Sequence, residues 1–449
     1  MNLRFVFASL GLATVCQFNP CSQLAFAADL PSSIIGKNEW LYYRYELAEA
    51  KDNANIQASI DLISKINQIL ARNNVTLAIT MVPIKMRVYP ENLPPELKPS
   101  DYLQSNYERI AKAMRAANLT VIDLNTPFLN DPKRNGENPF YIRLDTHWAP
   151  AGAMLAAEAI RAEIDANPAL KKPYAATAPV NFSMAWAKKK IVSKARDLVD
   201  QLPKGSPTFA PESLLTFSVS RGQSGKDSLV GDDAAPGIAL LGSSYSDNWT
   251  GFAEALRFTL QRDLLDVSVG ADKGSWVGIE TYLRDAAFQT QKPQLLIWEM
   301  PERDMKALPN YQYRDARYLS DNTEWLLRAA AWAEGTCNPS PIKAKIGTTN
   351  LAPSKEGDAL EIEFDQPLTK LDYLSLQANT SGARQLTLEA SGSPGNRKFT
   401  LPLVDDGADH AIKTPLAAGF NKVKLMPGKA KKFSVQQVQV CRHADSLLK

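Results

Sequence analysis

The chain has 449 residues, of which 45% are hydrophobic and 22% are charged, and its formal net charge is +3. These values are ordinary for globular proteins and exclude a low-complexity or strongly charged chain. At this length we expect two or three domains, with enough apolar material to bury a core in each.

Residues 1–28 have the features of a secretory signal peptide. Their single charge is Arg4, residues 5–15 are apolar, and Ala25-Phe26-Ala27 fits the small-x-small pattern of a cleavage site. No later segment is long and apolar enough to cross a bilayer. The sequence therefore predicts a secreted, soluble protein that does not span the membrane and does not bind nucleic acid.

Two cysteines, Cys337 and Cys441, remain after Cys16 and Cys21 leave with the predicted signal peptide. In an oxidising compartment a lone pair usually forms a disulfide. Such a bond would connect the start of the C-terminal region to its last predicted strand. The alternative is a pair of buried free thiols.

Residues 29–335 alternate between predicted strands and helices. The strands are predicted at 75–82, 119–124, 238–241, 264–269 and 294–298, and the helices at 56–70, 102–117, 151–167, 249–260 and 279–289. This alternation is typical of an α/β fold with a mostly parallel sheet that is covered by helices on both faces. Residues 168–235 are interpreted as an irregular insertion, because they combine Pro, Gly and Ser with scattered Lys.

Three polar clusters follow predicted strands directly. They are Pro83-Ile84-Lys85, Gly242-Ser243-Ser244 and residues 299–303. Ligands of parallel sheets bind beyond the carboxyl ends of the strands. We therefore expect these clusters at one functional edge.

The turn after the strand at 238–241 offers a candidate nucleophile. Its geometry is similar to a nucleophile elbow, although the five-residue motif is incomplete because Ser246 occupies the place of the second glycine. A serine hydroxyl needs a base to take its proton, and that base must itself be oriented.

His147 is the only histidine outside the C-terminal region, where His410 and His443 lie. Asp145 precedes it by two residues, so the pair can act as base and orienting carboxylate. The alternative is a structural histidine. A metal enzyme is disfavoured, because one histidine without cysteine is a poor ligand set.

Residues 336–449 form short alternating runs separated by turn residues, which predicts a small all-β sandwich. Residues 337–449 hold 15 Lys and Arg against 11 Asp and Glu, and the densest patch includes Lys422 and Lys424. On a secreted protein this charge suits a polyanion such as a uronic-acid polysaccharide. A solvated surface is the alternative.

Five stretches, taken in chain order, resemble the AlgX-like family of periplasmic alginate O-acetyltransferases. They are residues 36–43, Val82-Pro83-Ile84-Lys85, Asp145-Thr146-His147-Trp148, Gly242-Ser243-Ser244-Tyr245-Ser246 and residues 298–303. The resemblance implies an SGNH-hydrolase-like domain at 29–335, followed by a carbohydrate-binding module at 336–449. It also implies a permuted order, because the Asp–His stretch precedes the serine.

The resemblance places the nucleophile on Ser244, with Ser243 and Ser246 as close rivals. It implies no cofactor, an acetyl group delivered by a membrane acyltransferase system, and periplasmic polymer-secretion proteins as partners. Further candidate contacts with substrate are Lys85, Tyr245 and Arg303.

Three functions remain open on sequence grounds. The first is an O-acetyltransferase acting on a secreted anionic polysaccharide such as alginate. The others are a carbohydrate acetyl-esterase with the same triad, and a non-catalytic polysaccharide-binding scaffold. No tryptophan follows Trp332, so polymer binding by the C-terminal module would depend on its lysines and on Tyr373 or phenylalanines.

Overall fold

The computed structural model describes residues 30–222, 235–270, 273–311, 319–403 and 409–449. The predicted signal peptide, with Cys16 and Cys21, lies outside these ranges. Within them, every helix is too short or too polar to cross a membrane.

The N-terminal part contains eleven described strands. They are β1 (Ser33–Ile35), β2 (Leu41–Tyr43), β3 (Thr76–Val82), β4 (Thr120–Ile122), β5 (Phe182–Trp186), β6 (Ile191–Val192), β7 (Ser213–Leu214), β8 (Phe217–Arg221), β9 (Ile238–Gly242), β10 (Leu265–Ser268) and β11 (Leu295–Pro301). The described helices are α1 (Asn53–Arg72), α2 (Lys85–Val88), α3 (Asp101–Ala116), α4 (Asn125–Asn130), α5 (Pro150–Ala166), α6 (Pro168–Ala175), α7 (Asp197–Asp200), α8 (Phe252–Leu260), α9 (Ser275–Arg284), α10 (Ala286–Thr290) and α11 (Asn322–Ala333).

The predicted parallel sheet is confirmed. Its order is β10-β9-β11-β3-β4, and all four neighbouring pairs are parallel. One apolar cluster packs α1, α3, α9 and α11 on one face, and a second packs α5, α6 and α8 on the other. β9 and β11 are buried throughout, as expected for central strands that are covered on both faces.

Two predicted helices differ in their bounds. The helix expected from residue 249 begins at Phe252, because Gly251 has a φ of +78° and cannot continue a right-handed helix. The helix expected at 279–289 is two helices, because Asp285 has extended backbone and its side chain accepts from the Ala287 N–H at the start of α10.

The prediction of an irregular insertion is wrong for much of residues 168–222. Besides α6 and α7, this segment forms two antiparallel strand pairs, β5 with β8 and β6 with β7. The paired strands are far apart in sequence, so no short-range hairpin signal marks them.

The predicted C-terminal sandwich is confirmed. Its strands are β12 (Ala344–Ile346), β13 (Asn350–Leu351), β14 (Leu360–Phe364), β15 (Asp372–Asn379), β16 (Gln385–Gly392), β17 (Gly395–Pro402), β18 (Asp409–Pro415), β19 (Phe420–Met426) and β20 (Phe433–Arg442). Two antiparallel sheets, β12-β14-β19-β16-β17 and β13-β20-β15-β18, enclose one apolar core. Cys337 and Cys441 form the predicted disulfide, whereas the boundary at 335/336 stays a prediction.

Candidate active site

The candidate nucleophile follows β9 on a 3₁₀ turn, Ser244–Ser246, at the carboxyl edge of the sheet. Gly242 must be glycine here, because a Cβ atom at this position would lie 2.1 Å from Cβ of Ser246. Ser244 is partly exposed, whereas Ser243 and Ser246 are buried. The turn therefore presents one of its three serines to solvent.

Both rival serines bind Glu299 instead. The Glu299 carboxylate accepts hydrogen bonds from N and Oγ of Ser243 and from Oγ of Ser246, at 2.8–3.0 Å. Glu299 lies within β11 and is fully buried, which corrects the expectation that it follows the strand. Burial raises its pKa to about 7, although the hydrogen bonds from the two serines act in the opposite direction.

His147 connects Ser244 to Asp145. Its Nε2 atom lies 2.8 Å from Ser244 Oγ, and its Nδ1 atom lies 2.6 Å from Asp145 Oδ1. Asp145 and His147 share a tight loop that ends where Pro150 begins α5. The fold thus brings the base and orienting carboxylate predicted from the sequence together with Ser244, the serine that the resemblance favours.

Two reciprocal hydrogen bonds hold the histidine loop against the serine turn. Nε1 of Trp148 donates to the carbonyl of Tyr245 at 3.0 Å, and the Tyr245 hydroxyl donates to the carbonyl of Thr146 at 2.6 Å. Both aromatic side chains are fully buried. This arrangement fixes the distance between His147 and Ser244 across 97 positions of chain.

Asp197 is a site residue that the sequence did not indicate. Its backbone N–H donates to Asp145 Oδ2 at 2.9 Å, and its carboxylate accepts from N and Oγ1 of Thr146 at 2.8 and 2.6 Å. Burial and the neighbouring Asp145 charge raise the pKa of Asp197. Burial would also raise the pKa of Asp145, but the hydrogen bond and charge of His147 and two backbone N–H groups hold it below its usual value.

The same three residues form the cation-ligand cluster found in the described part of the chain. Ligand atoms of Asp145, His147 and Asp197 all lie within 4.8 Å of one another. A cation at this cluster would compete with the Nδ1 proton that His147 shares with Asp145. These residues are therefore better suited to proton transfer than to holding a metal.

Lys85 is buried, so the expectation that it contacts substrate is wrong. Its side chain is fully buried, and Nζ donates to the carbonyls of Leu41, Ile142, Arg143 and Asp145 at 2.7–3.0 Å. The strand-end pattern located Lys85 near the site, but its ammonium points inward. It ties the loop that carries Asp145 to β2.

Tyr245 and Arg303 also lie beneath the site rather than facing a ligand. The Tyr245 ring packs 4.8 Å from the His147 ring, and Arg303 Nη1 donates to the Tyr245 hydroxyl at 2.9 Å. The side chain of Arg303 is only 8% exposed, and its guanidinium lies over the rings of Tyr43 and Tyr245. Tyr245 packs against His147 and Arg303 packs against Tyr245, which corrects their assignment as substrate contacts.

The C-terminal candidates are largely engaged within their own module. Lys422 pairs with Glu361 at 2.6 Å and Glu363 at 3.6 Å, and Lys424 pairs with Glu361 at 3.5 Å. These acids lie on β14, directly opposite the two lysines on β19, so these two lysines of the expected basic patch share their charge with carboxylates. Tyr373 is fully buried and cannot offer its ring to a sugar.

Trp249 was not predicted as a site residue, yet it lies at the mouth of the site. Trp249 is 50% exposed, and its ring lies nearly perpendicular to the His147 ring, at 78°, with the ring centroids 5.0 Å apart. The sequence pattern had placed this residue inside a helix.

Comparison with known proteins identifies the family. Residues 34–302 match the model described as "SGNH hydrolase-like domain, acetyltransferase AlgX", which is more than half of the chain. The chain belongs to this family. The resemblance drawn from the five sequence stretches is thereby confirmed.

Individual relatives agree with this assignment. The chain is 31% identical over 305 residues to the "Probable alginate O-acetylase AlgJ" of Pseudomonas aeruginosa, covering 65% of this chain and 74% of that protein. It is 26% identical over 340 residues to the "Alginate biosynthesis protein AlgX" of the same organism, covering 70% and 67%.

Solved structures extend the likeness in fold to both parts of the chain. The AlgX structure from Pseudomonas aeruginosa has a TM-score of 0.64 at 17% identity, covering 92% of this chain and 94% of that one. The O-acetyltransferase domain of Pseudomonas putida AlgJ has a TM-score of 0.54 at 25% identity, covering 67% and 99%.

Proposed function

We propose that this protein is a periplasmic O-acetyltransferase that moves acetyl groups onto hydroxyls of an anionic polysaccharide, alginate or a similar polymer. The observation that carries the proposal is the chain of hydrogen bonds from Asp145 through His147 to Ser244, at 2.6 and 2.8 Å. Membership of the acetyltransferase family supports the reaction. The names of the relatives support the polymer.

The first step forms an acetyl-enzyme. Ser244 Oγ attacks the carbonyl carbon of a donor ester while His147 Nε2 takes the hydroxyl proton. Asp145 accepts the Nδ1–H and stabilises the imidazolium. When the tetrahedral intermediate collapses, the bond to the donor oxygen breaks and His147 returns the proton to that oxygen.

The backbone N–H of Ser244 is our candidate oxyanion donor. Ser244 is the first residue of its 3₁₀ turn, and the first N–H groups of a helical turn have no partner within it. Such a donor typically contributes about 2.7–4 kcal/mol to the stabilisation of the transition state.

The second step transfers the acetyl group to a sugar. A hydroxyl of the polymer loses its proton to the same Nε2 atom and attacks the carbonyl of acetyl-Ser244, and Ser244 Oγ leaves with a proton from His147. Donor acetyl would arrive from a membrane acyltransferase system, with periplasmic polymer-secretion proteins as further partners. No cofactor is needed for either step, and the C-terminal sandwich would serve as a carbohydrate-binding module.

The test uses purified protein, a chromogenic acetyl ester and an oligouronate. We expect mass spectrometry to find an acetyl group on Ser244 and acetylated oligouronate among the products. Ser244→Ala should abolish both, whereas the matched variant Ser243→Ala should keep the adduct on Ser244. Deacetylation without acetylated sugar would identify an esterase, and unchanged polymer acetylation by Ser244→Ala in cells would identify a scaffold.

A further inference from the structure

An exposed tryptophan borders the nucleophile. Trp249 keeps half of its surface in solvent, and its ring lies nearly perpendicular to the His147 ring, with centroids 5.0 Å apart. Its indole therefore has room to receive a ligand beside the base that must deprotonate a sugar hydroxyl. A flat apolar ring of this kind matches the C–H face of a pyranose.

Further aromatic side chains lie between Trp249 and the paired strands β5 and β8, which follow α5 and α6 in the chain. Gly251, two residues beyond Trp249, approaches Phe217 so closely that an added Cβ atom would lie 3.1 Å from the ring. Phe217 on β8 stands opposite Trp186 on β5, with ring centroids 5.1 Å apart. Trp186 is itself 38% exposed. It therefore offers a second exposed indole, which is connected to the Trp249 turn through Phe217.

The segment after α5 is one-sided in charge up to residue 196, after which Asp197 and Asp200 follow. Residues 168–196 contain seven Lys and Arg and no Asp or Glu. Lys188 and Lys189 follow β5 after Ala187 and are exposed. Lys422 and Lys424, by contrast, share their charge with Glu361 and Glu363.

We propose that Trp249, Trp186, Lys188 and Lys189 form the acceptor-binding surface for a polyuronate chain. Trp249 stacks on the sugar that receives the acetyl group, Trp186 stacks on a more distant residue of the polymer, and the two lysines bind its carboxylates. The choice of polymer class rests on the proposed function. The surface itself rests on exposure, ring contacts and charge.

Direct binding measures this surface without any acetyl transfer. Isothermal titration of the full chain with a mannuronate decamer at low salt compares two matched pairs of lysines. We expect Lys188→Ala/Lys189→Ala to weaken binding about tenfold and to reduce its salt dependence. Lys422→Ala/Lys424→Ala should change the Kd less than about twofold.

The tryptophans are tested in the same titration. Trp249→Ala should weaken decamer binding about tenfold, and Trp249→Tyr should recover most of it, because an aromatic face is retained. Trp186→Ala should weaken binding as well, and thermal melting checks that every variant is folded.

Several outcomes would overturn the proposal. They are a wild-type protein that does not bind the decamer, an effect limited to the lysines on β19, and a Trp249→Ala variant that binds like wild type. Failure of the proposed function is separate, because it would appear as a missing acetyl group on Ser244 while decamer binding persisted.

Discussion

At the scale of single residues, Asp145 determines which ring nitrogen of His147, the proposed base, carries the proton. Its carboxylate accepts from Nδ1 and N of His147 and from N of Asp197. Because these donors keep its pKa low, the carboxylate stays charged at neutral pH. In the proposed mechanism it therefore holds the proton of His147 on Nδ1 and leaves Nε2 free to accept a proton from Ser244.

The first prediction concerns Asp145→Asn. An amide N–H facing Nδ1 would favour the other tautomer, whose Nε2 carries a hydrogen and cannot act as a base. We expect kcat for a chromogenic acetyl ester to fall about 10³–10⁴-fold, by analogy with serine proteases. Asp197→Asn is the control: its backbone donor to Asp145 persists, so kcat should fall less than about tenfold. Similar losses in the two variants would contradict the role of Asp145.

The second prediction concerns Glu299, whose pKa rises from 4.5 to about 7 on burial. Between these values the folded protein holds a proton that the unfolded chain has released. The free energy of unfolding should therefore fall as pH rises from 4.5 to 7, by on the order of 3 kcal/mol. Glu299→Gln, which mimics the protonated acid, should lack this component when both proteins are unfolded in urea across that range.

Glu299→Ala provides the contrast for this experiment. It leaves the buried N–H of Ser243 without its carboxylate partner, so it should destabilise the protein at every pH. A difference between wild type and Glu299→Gln that does not vary with pH would refute the titration of Glu299.

At the scale of elements, Lys85 joins β2 to the loop before α5. Four carbonyl oxygens, including that of Asp145, lie 2.7–3.0 Å from its ammonium and share its three N–H groups. Buried acceptors are costly to leave unpaired. The position of the loop that carries Asp145 and His147 thus depends on a side chain at the start of α2, outside the loop itself.

The third prediction follows from this contact. Lys85→Met should lower the free energy of unfolding by on the order of 3–5 kcal/mol, because four carbonyls lose the ammonium and only that of Arg143 keeps a close backbone donor, the Leu41 N–H at 2.9 Å, among the loop hydrogen bonds described. Chemical denaturation measures the loss, and kcat should fall with it. The exposed Lys112→Met on α3 is the matched control, expected within about 0.5 kcal/mol of wild type. Equal stability of the two variants would show that the carbonyls need no donor.

At the scale of the whole molecule, the two parts meet around the end of α11. Glu334 accepts from the Tyr373 hydroxyl at 3.2 Å, and its carbonyl accepts from Lys413 Nζ at 3.1 Å. The disulfide between Cys337 and Cys441 closes 104 positions of chain just beyond. The sandwich is therefore held at both of its ends.

The fourth prediction tests this closure. Cys337→Ser/Cys441→Ser should lower the free energy of unfolding of the sandwich by about 4 kcal/mol, since the unfolded chain regains loop entropy. Calorimetry should show an earlier transition, and a reductant should shift wild type toward the variant. Ester hydrolysis at temperatures below that transition should persist, because neither cysteine lies near Ser244. An unshifted transition would contradict a stabilising role for the bond.

The sequence by itself determined the features that depend on residues close together in the chain. Periodicity and turn residues predicted the parallel sheet and the sandwich, and the histidine count made His147 the natural base. Those signals are local because strand and helix patterns repeat over a few residues. Among the three serines of the turn, however, only the resemblance favoured Ser244.

Only the tertiary structure decided which polar groups meet. The backbone N–H of Asp197 binds Asp145, which lies 52 positions away in the chain. Lys85 points inward to four carbonyls. Lys422 on β19 pairs with Glu361 on the neighbouring strand β14. Trp249 stands exposed in the 3₁₀ turn that precedes Gly251 and α8. Spacing along the chain carries no record of such contacts, since they arise when separate elements pack and their buried polar atoms must find partners.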